Sequence, residues 1–221
     1  MTSAPLVIAT LLVAVSAALT VRAEYRGPRW QVYMFKPLTT ALLLAILLAA
    51  AQYGAPVAPR YQMAVAVGLG LSLAGDVFLM VPNDRFVPGL ASFLLAHVAY
   101  IVAFTTDTPM ATAPLLFVPF AFFGLALLSQ LWHRLGRLQL PVTVYVLVIV
   151  CMAGQAAGRW WSLRNAASTL ACVGAALFVV SDALLAGNRF GRPFHSARGL
   201  TLGSYFVAQW LIAVSVYGHA G

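Results

Sequence analysis

The sequence predicts an all-α integral membrane protein: one polytopic transmembrane domain over residues 1–221, a bundle of about eight helices. Three observations carry that expectation. Of the residues, 62% are hydrophobic and the mean hydropathy is +0.91, which sets the chain apart from water-soluble domains. Apolar runs of roughly bilayer-crossing length, about 17 to 25 residues, recur along the whole chain. The thirteen Lys and Arg residues are spread over the segments between those runs and do not gather on one helix face. Despite a formal charge of +8, that spread speaks for membrane topology and against a nucleic-acid partner.

The first run, Leu6 to Val21, has no basic residue before it and Arg22, Arg26 and Arg29 after it. That order is the reverse of a signal peptide's, so the segment reads as an uncleaved first helix with its N-terminus outside. Further runs extend from Pro37 to Ala51, Gln62 to Val81, Pro88 to Thr105, Pro114 to Leu131, Pro141 to Ala157, Ala166 to Gly187 and Leu200 to Tyr217. Pro37, Pro88, Pro114 and Pro141 are expected in first turns, where a missing N–H costs nothing. The connections after helices one, three, five and seven hold ten of the thirteen basic residues. The positive-inside rule then places both termini outside a cell membrane and the Arg-rich connections in the cytoplasm. Cys151 and Cys172 lie within apolar runs and give no disulfide or metal-pair signal.

Two segments echo each other: Leu73-Ala74-Gly75-Asp76-Val77-Phe78-Leu79 and Val179-Val180-Ser181-Asp182-Ala183-Leu184-Leu185. The first continues through Asn83 to Arg85-Phe86, the second through Asn188 to Arg189-Phe190. Helices three and four thus pair with seven and eight, entering the membrane in the same direction, which fits a parallel four-helix duplication. A charged Asp in hydrocarbon costs about 2.5–3.5 kcal/mol on insertion scales, so Asp76 and Asp182 are the leading functional candidates among only five acids.

Other polar intramembrane residues fall at the same depth, in the half expected to face the cytoplasm. They are Lys36 and Thr40 on helix two, His97 on helix four, Tyr145 on helix six, and Tyr205 with Gln209 on helix eight. Gly68, Ser72 and Asp76 recur every fourth residue, a small-residue stripe that turns the Asp into the bundle. His97 shares its face with Phe93, Tyr100 and Phe104. Each residue also has a plainer role to weigh. His97 suits a cross-helix hydrogen bond, Tyr145 and Tyr205 suit interfacial anchoring, and Lys36 suits snorkelling to head groups. Arg85, Arg189, Arg192 and Arg198 suit orientation alone.

The runs LSLAGDVFLM, FVPGLASFLLAHVAY, GAALFVVSDALLAGNRF and YFVAQWLIAVS, with FKPLTT around Lys36-Pro37, resemble the YhhN-like lysoplasmalogenase family of polytopic membrane proteins. The resemblance spans roughly Lys36 to Ser215. It implies hydrolysis of the vinyl ether bond of a lysophospholipid, giving a fatty aldehyde and glycerophospho-ethanolamine or glycerophosphocholine, without a cofactor. By the same resemblance Asp76 and Asp182 are the family's two intramembrane acids, and Lys36, His97, Tyr145, Tyr205 and Gln209 its other recurring positions.

Vinyl ether hydrolysis begins with protonation of an alkene carbon and passes through an oxocarbenium ion that water captures. It needs one acid and one base, the logic of paired carboxylates in glycoside hydrolysis. Lys36, Arg85 and Arg189 are candidates for the substrate phosphate. Three other functions compete, one of them a non-enzymatic lipid sensor. An ion-coupled transporter or proton relay would use the same Asp pair with His97. A metal-dependent lipid hydrolase would need Asp76, His97, Asp182 and His195 as ligands, for which no compact motif exists.

Overall fold

The computed structural model describes residues 4–50, 58–82 and 85–218. Asn83 of the first echo, and Ala51 at the expected end of the second run, lie outside them. The described residues form eight α-helices: α1 (Ala4–Arg26), α2 (Arg29–Ala49), α3 (Pro59–Met80), α4 (Phe86–Phe104), α5 (Val118–Leu135), α6 (Gln139–Leu163), α7 (Ala166–Phe190) and α8 (Ala197–Val214). Seven helical runs are long and apolar enough to cross a membrane, and one of them, the 50-residue Pro114–Leu163, holds both α5 and α6. Leu11, Leu48, Met63, Leu95, Phe122, Leu147 and Val207 are exposed on the outer surface while Ser, Thr, Gln, Asp and His side chains are buried. An apolar outside around a polar inside is what a bilayer requires of a multi-pass membrane protein.

α2, α3, α4, α6, α7 and α8 contact in that order and close into a ring, with α1 outside α2 and α8 and α5 outside α6 and α7. Advancing by four helices maps α2, α3 and α4 onto α6, α7 and α8 and preserves the order of neighbours. That is the order a parallel four-helix duplication produces. The tightest packing follows the small-residue stripe: a Cβ at Gly68 would lie 2.3 Å from the Tyr100 ring, and one at Gly75 2.7 Å from the Phe93 ring. α4 therefore lies directly on α3, with Ser72 and Asp76 buried along the same line.

The turns are locally encoded. Gly136, with φ +52°, reverses the chain between α5 and α6 in a conformation that suits glycine. Asn165 and Ser168 form a capping box that starts α7. Pro37 departs from expectation, because α2 begins at Arg29 and Pro37 sits inside it. The stretch from Arg29 to Lys36 is too polar and aromatic to extend the hydropathy run, yet it continues the helix beyond the apolar zone. The proline ring then leaves the Tyr33 carbonyl without its helical donor.

At the end of the bundle opposite the Arg-rich connections, α6 holds the α4–α5 connection. Gln155 Nε2 donates to the Phe104 and Thr108 carbonyls at 3.1 Å each, and Gln155 Oε1 accepts from the Ala111 amide at 3.0 Å. Arg159, fully buried, donates to both carboxylate oxygens of Asp107 and lies over the Tyr61 ring. Arg159 is thus a structural residue inside the fold and not one of the surface charges that set topology.

Candidate active site

Asp76 sits one turn before the end of α3 and Asp182 two turns before the end of α7, so the four-helix spacing carries both to the same end of the ring. Both line one cavity of about 480 Å³, open toward the α1–α2 and α7–α8 connections. The sequence-derived residues divide between the two acids. Lys36 Nζ lies 3.2 Å from Asp76 Oδ1, while Asp76 Oδ2 accepts from Tyr205 Oη at 2.7 Å and Thr40 Oγ1 at 3.0 Å. Tyr145 Oη donates to Asp182 Oδ2 at 2.5 Å, and His97 Nε2 stands 4.0 Å from the same oxygen.

This distribution obeys the ring's internal correspondence. Asp76 on α3 is met from α2 and α8, and Asp182 on α7 from α6 and α4, the equivalent neighbours four helices on. The partners differ chemically, however. Asp76 receives an ammonium and two hydroxyls, and Asp182 a phenol and, farther off, an imidazole. Two similar carboxyl groups are thereby placed in unlike settings.

His97 is fully buried, and among the described residues neither ring nitrogen has a hydrogen-bond partner. Its ring packs edge-on against Phe178 and Tyr145, at centroid distances of 4.6 and 5.3 Å. Gln209 lies beyond the cavity wall and accepts from Tyr100 Oη at 2.6 Å. Gln209 therefore supports the α4–α8 contact behind Tyr205 and does not line the cavity. Lys36 is turned inward to Asp76 and does not snorkel, and Tyr145 and Tyr205 are buried donors to carboxylates, not interfacial anchors.

Of the arginines considered for phosphate, Arg189 lines the cavity, its guanidinium 4.0 Å from the Phe86 ring, while Arg85 is exposed and outside it. His195 stacks on Tyr25 on the outer side of α1, away from both acids. Among the described residues no three His, Cys, Asp or Glu side chains come together as a metal site would need, and Cys151 and Cys172 are both free thiols. The cavity mouth also carries Glu24, Arg29, Tyr33 and Arg198, none of which had been placed in the site from sequence. A usable signal existed: Arg29 precedes Lys36, and Arg198 precedes Tyr205, by seven residues each, two helical turns on one face.

A narrow apolar cleft adjoins the cavity. It runs among α4, α5, α6 and α7 past Leu90, Leu127, Val142, Val146 and Ile149. Cleft and cavity share Leu79, Phe86, Phe93, Asp182 and Leu185, so Asp182 stands where an apolar channel meets a polar chamber.

The YhhN family profile matches residues 31–216. A membrane protein named YhhN from Escherichia coli is 33% identical over 210 residues, covering 94% of this chain and 97% of that protein. The lysoplasmalogenase TMEM86B of Sus scrofa is 35% identical over 192 residues, 86% of this chain and 76% of that protein. A lysoplasmalogenase of Mycobacterium bovis is 32% identical over 155 residues, 66% of this chain and 57% of that protein. No solved structure matches. With the family profile and full-length relatives both covering nearly the whole bundle, the chain belongs to the YhhN family.

Proposed function

We propose that this protein hydrolyses the vinyl ether bond of lysoplasmalogens, with Asp182 as the acid and Asp76 as the base. The observation that carries the proposal is the junction at Asp182. A single-chain lipid needs an apolar channel for its tail, a polar chamber for its head group, and the scissile bond between them, where the second acid also faces. Relatives named lysoplasmalogenase support the same substrate class.

In the proposed reaction Asp182 transfers a proton to the alkene carbon one removed from oxygen, leaving an oxocarbenium ion. Among the described residues Asp182 accepts one hydrogen bond, on Oδ2, so Oδ1 is assigned the transferable proton. Asp76, whose oxygens are met by three donors, enters the reaction as a carboxylate. It stabilises the cation and takes a proton from the water that adds to it. The hemiacetal then collapses: its hydroxyl proton passes to Asp182, Asp76 returns its proton to the glycerol oxygen, and the bond to that oxygen breaks, giving one aldehyde and one alcohol. One water is consumed and both carboxyl groups regain their starting states. Lys36 holds Asp76 in place, and Tyr145 and His97 bound the approach to Asp182. In this account the Arg-rich end faces the cytoplasm, and the site draws substrate from that leaflet.

The test is isotopic. Turnover in deuterium oxide, with the product trapped by borohydride, is expected to place one deuterium on carbon 2 of the aldehyde chain. Turnover in oxygen-18 water is expected to leave the glycerophospho product unlabelled. An aldehyde without deuterium, or heavy oxygen in the glycerol product, would overturn carbon protonation.

A further inference from the structure

The cavity mouth carries an arrangement of charge that the hydrolysis itself does not use. Arg29 begins α2 and Arg198 lies at the start of α8, each two turns, about 10 Å, from Lys36 and Tyr205 at the acid pair. Glu24, near the end of α1, faces Arg198 with 3.8 Å between Nη1 and Oε2, and Tyr33 on α2 lines the same cavity. The family profile starts at residue 31, so Glu24 and Arg29 both lie outside it while lining the cavity that holds Asp76 and Asp182.

We propose that Glu24, Arg29, Tyr33 and Arg198 form a head-group subsite for a zwitterionic phospho-ammonium group, with Arg29 and Arg198 on the phosphate and Glu24 with Tyr33 on the ammonium. The proposal rests on the hydrolase reading of the site and names which residues select its substrate. Two guanidinium forks suit phosphate oxygens, and a carboxylate beside an aromatic face suits an ammonium, methylated or not. The spacing also fits. With the vinyl ether at the acid pair, the phosphate and ammonium of a glycerophospho-ethanolamine extend about 10 Å toward the mouth, the distance two helical turns supply. The Arg198 side chain is 65% exposed, and an ion pair this open stabilises little, so substrate charges replace it at small cost. A head group carrying phosphate alone satisfies the arginines and leaves Glu24 opposed to it, which makes Glu24 the discriminating residue.

The experiment titrates the purified full-length protein with two non-hydrolysable probes, saturated alkyl-ether lysophospholipids bearing ethanolamine or glycerol head groups, read by mass spectrometry of the intact complex. The wild type is expected to favour the ethanolamine probe. E24Q is expected to lose about tenfold in affinity for it, the scale of one charge-assisted hydrogen bond, with the glycerol probe unchanged and serving as a control for folding. E24K is expected to reverse the preference, and R29A and R198A to weaken both probes. Equal effects of E24Q on the two probes, or none, would overturn the subsite. Aldehyde release from an alkenyl substrate by the wild type is measured in parallel. Its absence would overturn the hydrolase reading, and a normal rate with unaltered selectivity in E24Q would overturn the subsite alone.

Discussion

Lys36 Nζ on α2 and Asp76 Oδ1 on α3 stand 3.2 Å apart, both side chains nearly sealed from solvent. A buried pair of this kind is held by mutual need, because removing either member strips the other of its one opposite charge in a place with little solvent. Lys36→Met should therefore cost about 3–5 kcal/mol, the usual penalty for orphaning a buried charge. Lys36→Met combined with Asp76→Asn should recover much of the loss. Thermal unfolding in detergent of the two single variants and the double variant measures the coupling. A loss in the double variant equal to the sum of the two single losses would show that the ion pair does not hold α2 to α3.

Close packing of α3 on α4 gives a sharper contrast between neighbouring glycines. Gly68 has the Tyr100 ring where a Cβ would go, and Gly70 has open space. Gly68→Val should force the helices apart and yield little folded protein, while Gly70→Ala should be neutral in yield and melting temperature. Size-exclusion profiles of the two variants check this, and similar profiles would contradict the packing.

The cleft beside Asp182 should behave as a tail channel. Val146 lines it from α6, one residue beyond Tyr145. Val146→Trp should fill the channel and lower kcat/KM for long alkenyl chains, with a smaller effect on short ones. A uniform loss across chain lengths would instead point to a disturbed Tyr145–Asp182 hydrogen bond.

Much of this site was legible before the structure was known, for physical reasons. Asp76 and Asp182 stood out because hydrocarbon penalises charge, and the Gly68, Ser72 and Asp76 spacing gave the buried face directly. The pairing of partners was not legible. Helical spacing orders residues along one helix, while Tyr205 meets Asp76, and Tyr145 meets Asp182, only because of the order in which six helices close a ring. Pro37 misled because hydropathy marks the apolar zone and not the helix, which runs on to Arg29. Arg29 and Arg198 were absorbed into the charge balance that sets topology, which hid their position at the cavity mouth.

Topology is tested on exposed residues at opposite ends. Single cysteines at Thr112 and Arg192, in a background lacking Cys151 and Cys172, should label differently in intact cells treated with an impermeant maleimide. Thr112→Cys is expected to react and Arg192→Cys to be protected until the cells are opened. The reverse pattern would place the cavity mouth on the outer side.

The central claim is that two carboxyl groups cleave a vinyl ether, and product analysis by mass spectrometry tests it most directly. Purified protein should release fatty aldehyde from an alkenyl lysophospholipid. The saturated alkyl ether should act only as a competitive inhibitor, and the acyl lysophospholipid should yield no fatty acid. Asp76→Asn and Asp182→Asn should each lower aldehyde release by about 10²–10⁴-fold, with the double variant no worse than either, since the pair acts as a unit. Fatty acid released from the acyl lipid at a rate comparable to aldehyde, or substantial aldehyde release by either single variant, would contradict the account.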